Sequence, residues 1–149
     1  MKKIVFIMLL VNLMNILRAE IGWSGNIWPN SETIQVEGNN ITVYYQIFKE
    51  DVTSLSGQAM DISAKLFYKL STELDYVVVS MHYISEDGNN DVYSVDILES
   101  YFTNNDIIQF YCEGFDASDN TYSYGTDQNV AGPFDSDNPG IYNIGSLTS

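Results

Sequence analysis

The stretch ITVYYQIF, residues 41 to 48, decides the fold class. Seven of its eight residues are β-branched or aromatic, the types that suit a pleated, half-buried surface. A period of two gathers Ile41, Val43, Tyr45 and Ile47 on one face, so the segment is read as a strand with one side turned to a core. Outward from it the pattern repeats. Residues 62 to 70, ISAKLFYKL, set Ile62, Ala64, Leu66, Tyr68 and Leu70 against Ser63, Lys65, Phe67 and Lys69. One buried and one wet face is the habit of an antiparallel sheet. Further strands are expected over 76–84, 91–97, 107–113 and 121–124, with a short one over 32–36. Turn signals separate them: Glu37-Gly-Asn-Asn40 before the quoted stretch, and Ser85-Glu-Asp-Gly-Asn-Asn90 between two strands expected to form a hairpin. No helical stripe follows residue 19, although 101–106 has room for one turn. Six or seven such strands predict an all-β, antiparallel two-sheet β-sandwich. The tail, 129–149, is expected to be partly irregular, with Tyr142 and Ile144 offering a closing strand.

The first 19 residues differ in kind. Lys2 and Lys3 precede the apolar run Ile4 to Val11, and Ala19 offers a small residue before Glu20. This is the pattern of a secretory signal peptide. Asn12 and Asn15 interrupt the run before it reaches the length of a membrane span. No cysteine follows it to carry a lipid. Removal of 1–19 leaves 20–149, one domain by length and large enough for a sizeable core. What remains has three lysines, Lys49, Lys65 and Lys69, against all 20 acids, a formal charge of −17. Such a chain repels nucleic acid and anionic membrane surfaces. Cations, neutral glycans and basic protein surfaces stay open as partners, and the expected location is outside the cytoplasm, secreted, periplasmic or at the cell surface.

Cys112 is the only cysteine and His82 the only histidine. Cys112 lies in a strand-like run and is read as a small buried apolar residue, and nothing flanking either residue marks a reactive pair. Zinc-ligand clusters, phosphate-cradling glycine loops and nucleophile-elbow serines are all missing from the sequence. No enzyme is therefore expected.

Several segments together carry a resemblance. Trp23-Ser-Gly-Asn-Ile-Trp-Pro29 is followed by Thr33-Ile, by the run from Ile41 to Thr53, by Gly57-Gln and Ile62-Ser-Ala, and later by Asn90-Asp-Val-Tyr-Ser-Val. Over Trp23 to Gly125 this resembles the small β-sandwich modules of large secreted bacterial proteins, among them starch-binding and immunoglobulin-like modules. The resemblance implies a sandwich fold, a bacterial source and a non-catalytic binding role, with a neutral polysaccharide such as starch as ligand. Two positions depart from the pattern. Gly57-Gln-Ala-Met-Asp61 stands where such modules are richer in glycine, and Tyr122 and Tyr124 stand near the final turn where a tryptophan is usual.

Four aromatic residues are candidate ligand contacts: Trp23, Trp28, Tyr122 and Tyr124. A tryptophan face stacks on a pyranose ring while Asn26, Asn30 or Glu32 nearby bonds hydroxyls. Trp28 is the one expected to plug the end of the sandwich instead. Tyr122 and Tyr124 share a face, so both stack on a ligand or both enter the core. Asp116, Asp119, Asn120 and Asp127, in DASDNTYSYGTD, offer hard oxygen ligands for calcium, and so does the turn Asp87 to Asp91, though neither has the spacing of an established calcium loop. Asn40-Ile-Thr42 matches a glycosylation sequon and carries no weight in a chain read as bacterial. The alternative to a glycan-binding module is a protein-interaction or surface-structural domain that meets a basic partner through its acidic surface. An unpaired strand over 107–113 would favour that alternative by strand addition.

Overall fold

A computed structural model describes residues 20–129 and 132–146; the expected leader lies outside them. Along the chain run β1 (Trp23–Trp28), β2 (Thr33–Val36), β3 (Ile41–Phe48), β4 (Ile62–Leu70), β5 (Val77–Ser80), β6 (His82–Asp87), β7 (Asn90–Ile97), a short 3-10 turn (Glu99–Tyr101), β8 (Ile107–Asp116), β9 (Thr121–Tyr124) and β10 (Gly140–Gly145). They form two sheets. The first has the order β1-β3-β7-β6, and the second β2-β10-β8-β4-β5 with β9 alongside β8. The predicted antiparallel sandwich is the fold, with one parallel pairing, β2 to β10, within it.

The quoted stretch behaves as its alternation demands. Ile41, Val43, Tyr45 and Ile47 are buried between the sheets, while Thr42, Tyr44, Gln46 and Phe48 are half-buried on the outer side. Across the core, β4 contributes Ile62, Ala64, Leu66 and Tyr68, and β8 contributes Ile108, Phe110 and Cys112. Strand β8 is central. It pairs with β4 from Ile62↔Asp116 to Leu70↔Ile108, while its other side is shared by β10 and β9. The strand over 107–113, which strand addition would need open, therefore lies inside the sheet with neighbours on both sides.

Two features depart from the linear reading, while the closing strand offered by Tyr142 and Ile144 is present as β10. The segment 76–84 is one extended run in sequence, but it serves two sheets. Val77–Ser80 pairs with β4, His82–Asp87 pairs with β7, and the chain crosses at buried Met81, whose N–H donates to the Ala64 carbonyl at 2.9 Å. Strands that change sheet at a bend are how sandwich corners are built. The hairpin turn is shorter than expected, with Gly88 and Asn89 alone between β6 and β7 and Gly88 at φ 63°. The tail supplies β10, which carries buried Tyr142 and Ile144 into the second sheet.

Fully buried tyrosines tie the layers to loops. Tyr45 donates its hydroxyl to the Ser123 carbonyl at 3.2 Å, and Tyr142 donates to the Pro29 carbonyl at 2.8 Å. A buried tyrosine needs such a partner because an unpaired hydroxyl away from water costs free energy. The ring of Tyr142 also stacks on Phe110, centroid to centroid 4.0 Å. Along one side the two sheets are sewn together: Ser24 and Ser123 hydroxyls meet at 2.6 Å, and the Ile27 N–H donates to the Thr126 carbonyl at 3.1 Å. Gly125 makes this seam possible. A Cβ there would stand 2.4 Å from Cε2 of Tyr45 and 2.9 Å from the Cα of Gly25. Gly125→Ala is expected to destabilise the protein by about 1–3 kcal/mol through this clash, measured as a lower urea midpoint with an unchanged slope.

Candidate ligand face

Strand β1 decides what the first sheet shows to solvent. In an unbroken strand, Trp23 and Trp28, five residues apart, would point to opposite faces. The β1–β3 register runs Gly25↔Gln46 and then Trp28↔Tyr44, so Asn26 and Ile27 together oppose Tyr45. That extra residue is a β-bulge, with Asn26 at φ 49°. It turns Ile27 inward to complete burial and sends Trp28 outward to the same face as Trp23. Trp28 is 57% exposed and Trp23 41%, so the expectation that Trp28 plugs the sandwich is corrected: Ile27 takes that place. The indole of Trp23 folds back along its own strand. Its Cζ2 lies 2.8 Å from where a Cβ of residue 25 would be, room that exists because residue 25 is glycine.

The register converts these rings into an ordered face. Trp28 is opposite Tyr44, and Trp23 is opposite Phe48. Between these two aromatic pairs runs a polar row. The side-chain oxygen of Gln46 accepts from the Asn26 amide at 2.9 Å and from the Asn90 amide at 3.0 Å, and the Gln46 amide donates to Asp87 at 3.0 Å. Its members come from β1, β3, β7 and β6, so the row crosses the sheet. Each amide keeps further donor or acceptor capacity for a ligand. The face therefore alternates along β3: aromatic, polar, aromatic. Sequence reading singled out the tryptophans and Asn26 but passed over Tyr44, Gln46 and Phe48. Their signal was present, as an aromatic, an amide and an aromatic at every second position on the wet side of the quoted strand.

Tyr122 and Tyr124 lie elsewhere. Both point out from β9 on the outer face of the second sheet, Tyr122 against Phe115 (4.8 Å between centroids) and Tyr124 near Tyr111 (6.2 Å) and hydrogen-bonded to Glu113 at 3.0 Å. The four aromatic candidates thus fall on two faces and do not make one platform. Asn30 and Glu32 sit in the loop that leaves β1, outside the polar row, with the Asn30 carbonyl accepting from Thr33 at 2.6 Å.

The acidic loop is folded around an ammonium of its own chain. Asp116 is fully buried and ion-paired with buried Lys49, which also bonds Ser118 at 2.9 Å and Asp119 at 3.3 Å. Burial pushes the Asp116 carboxyl up, but the bonds from Lys49 and Ser118 outweigh it and hold the group below the usual carboxylate range. For Lys49, burial works toward the neutral form and the two carboxylates prevail, raising it. Asn120, at φ 56°, shapes the turn into β9. Asp127 is buried near the seam, accepting from the backbone N–H of Ser31 and from that of Asn129 at 2.8 Å. Among the described residues no group of three or more His, Cys, Asp or Glu side chains is placed to hold a metal ion.

In the earlier turn, Asp91 points inward and is fully buried. One carboxyl oxygen accepts from the Ala59 N–H at 3.0 Å and the Tyr93 hydroxyl at 3.2 Å, and the other has no partner among the described residues. Burial pushes this carboxyl up, with nearby Glu86 adding to it against those two bonds. Cys112 is buried on β8, its thiol pushed up by burial, while His82 is exposed on β6 and faces out from the other sheet. No helix of the described residues is long and apolar enough to cross a membrane. No protein-family model matches the chain, and no curated protein matches it.

Asp116 and Asp91 give opposite pH dependences. Asp116 contributes stability above the ordinary carboxylate value of 3.8 that is lost as pH falls through its lower folded value. Asp91 destabilises above 3.8, an effect absent at lower pH, where both folded and unfolded forms are protonated. Asp91→Asn is expected to stabilise the protein at neutral pH, with the gain shrinking below pH 4, in urea titrations at several pH values. Asp116→Asn leaves the Lys49 ammonium short of its main partner, and a loss of about 3 kcal/mol is expected at pH 7.

Proposed function

We propose that the chain is an exported, non-catalytic binding domain whose ligand is a neutral polysaccharide carried on the outer face of the first sheet. The observation that carries this reading is the β1 bulge, which brings both tryptophans to one face, in register with Tyr44 and Phe48, on either side of the Gln46 amide row. Aromatic rings stack on the apolar faces of sugars, and amides bond their hydroxyls. Neutrality follows from charge. At −17 the mature chain repels anions, and Asp87 at the end of the row opposes a ligand carboxylate. The burial of Cys112 away from His82, and the commitment of Asp116 and Asp119 to Lys49, support a binding role over a catalytic one. Starch is the polysaccharide to which the sequence resemblance points. A calcium requirement is part of the proposal only as a condition on binding.

A second reading rests on a different observation. The run β5–β6 is an edge of both sheets, and Leu74, Val78 and Ile84 along it are exposed. Open edges of this kind recruit extended peptides. Titration calorimetry of residues 20–149 with soluble polysaccharides, with calcium and after chelation, separates the two. On the glycan reading, Trp23→Ala and Trp28→Ala each weaken binding by about tenfold, or about 1.4 kcal/mol, while Tyr122→Ala leaves it unchanged. Heat that disappears on chelation would add calcium to the site. Absence of heat with every polysaccharide would favour the protein-partner reading.

A further inference from the structure

Tyr44 and Phe48 stand four residues apart on β3, about 13 Å at the rise of an extended strand. Each has a tryptophan of β1 opposite it in register, Trp28 across from Tyr44 and Trp23 across from Phe48, with the Trp23 indole lying back over Gly25, so the face presents aromatic surface at two levels along the strand. Midway lies Gln46, with Asn26 and Asn90 holding its side-chain oxygen from both sides. The amide is thereby fixed against the sheet and does not need to be ordered when a ligand arrives, which lowers the cost of binding.

A ligand that uses this whole pattern must be straight over that distance, apolar at both ends of it and hydroxylated between. We infer that the ligand is an extended, β-linked neutral polysaccharide lying along β3, with one ring over Trp28 and Tyr44, another over Trp23 and Phe48, and the intervening unit bonded to the amide row. This rests on the glycan reading above and replaces starch, an α-linked glucan, with a β-linked chain. A chain that coils, as an α-linked glucan does, curves away from a strand-aligned face and meets one aromatic pair at a time. A pyranose unit is shorter than the two-residue repeat of a strand, about 6.8 Å. A disaccharide therefore reaches one pair, and more than two units are needed to reach both.

Chain length and linkage are the variables of the test. The mature protein is titrated calorimetrically with β-1,4-linked gluco- and manno-oligosaccharides of two to six units, and with α-1,4-linked gluco-oligosaccharides of the same lengths. Expected is a rise in affinity of at least tenfold between the β-linked disaccharide and the first length that spans both pairs, then a plateau, with no such step in the α-linked series. Trp23→Ala and Trp28→Ala should each remove the step, so that the longer β-linked chains gain nothing over the disaccharide. Both tryptophans are well exposed, and an unchanged melting temperature verifies that the variants fold. Affinity that is flat with length in the β-linked series, or an equal step in the α-linked series, overturns this inference and leaves glycan binding standing. Absence of binding in both series overturns glycan binding as well.

Discussion

Asn26 is the residue at which β1 steps out of phase with β3, and the division between inside and outside on the first sheet depends on that step. Without it, Ile27 would point to water and Trp28 into the core, where the neighbouring volume is already filled by Tyr45 and Ile47. With it, the inner layer receives a small branched side chain and the outer layer both indoles. Gly25 and Gly125 serve the same arrangement: the first leaves room for the Trp23 ring, and the second lets β1 close against the segment after β9. The seam and the aromatic face are thus two sides of one irregularity. An added residue in a strand is a common means of re-aiming side chains, and here it determines which surface is able to hold a ligand.

Electrostatics organise the opposite end of β3. Only three lysines follow residue 19, and one of them, Lys49, is buried at the end of the strand, where Asp116, Ser118 and Asp119 converge on it. A buried ion pair adds little when compared with a well-packed apolar pair, but removal of one partner is costly. In a chain with such an excess of acid, the pair also gives the loop between β8 and β9 a single way to fold. The loop is ordered by this internal cation and by the local bonds of Asp116 to Ser118.

Strands β3 and β4 were legible because each alternates along its length, a direct record of a half-buried sheet, and β7 and β8 because they are rich in β-branched and aromatic residues. The crossing at Met81 was not, since a strand that changes sheet keeps its local pattern and alters only its partner. Phase in β1 was hidden for a related reason. A bulge adds one residue without any composition signal, so Trp28 was assigned inward while Ile27, the residue that replaces it, drew no notice. Trp23 and Trp28 are recognisable as candidates by residue type, whereas Tyr44, Gln46 and Phe48 lie on the wet side of a strand whose alternation marks its inner face. Tyr122 and Tyr124 were grouped with the tryptophans although β9 belongs to the second sheet. Which sheet an aromatic residue faces is a property of pairing, and pairing between distant segments leaves no trace in either segment alone.

The parallel pairing of β2 with β10 has a kinetic side. Ser31 and Ile141, which exchange bonds at its start, are 110 residues apart in sequence. Contacts of such separation pay a large loop-closure entropy before they return any stabilisation, and they slow folding. The second sheet gains its β2 edge only once β10 is in place, because among the described residues β10 is the one strand that β2 pairs with.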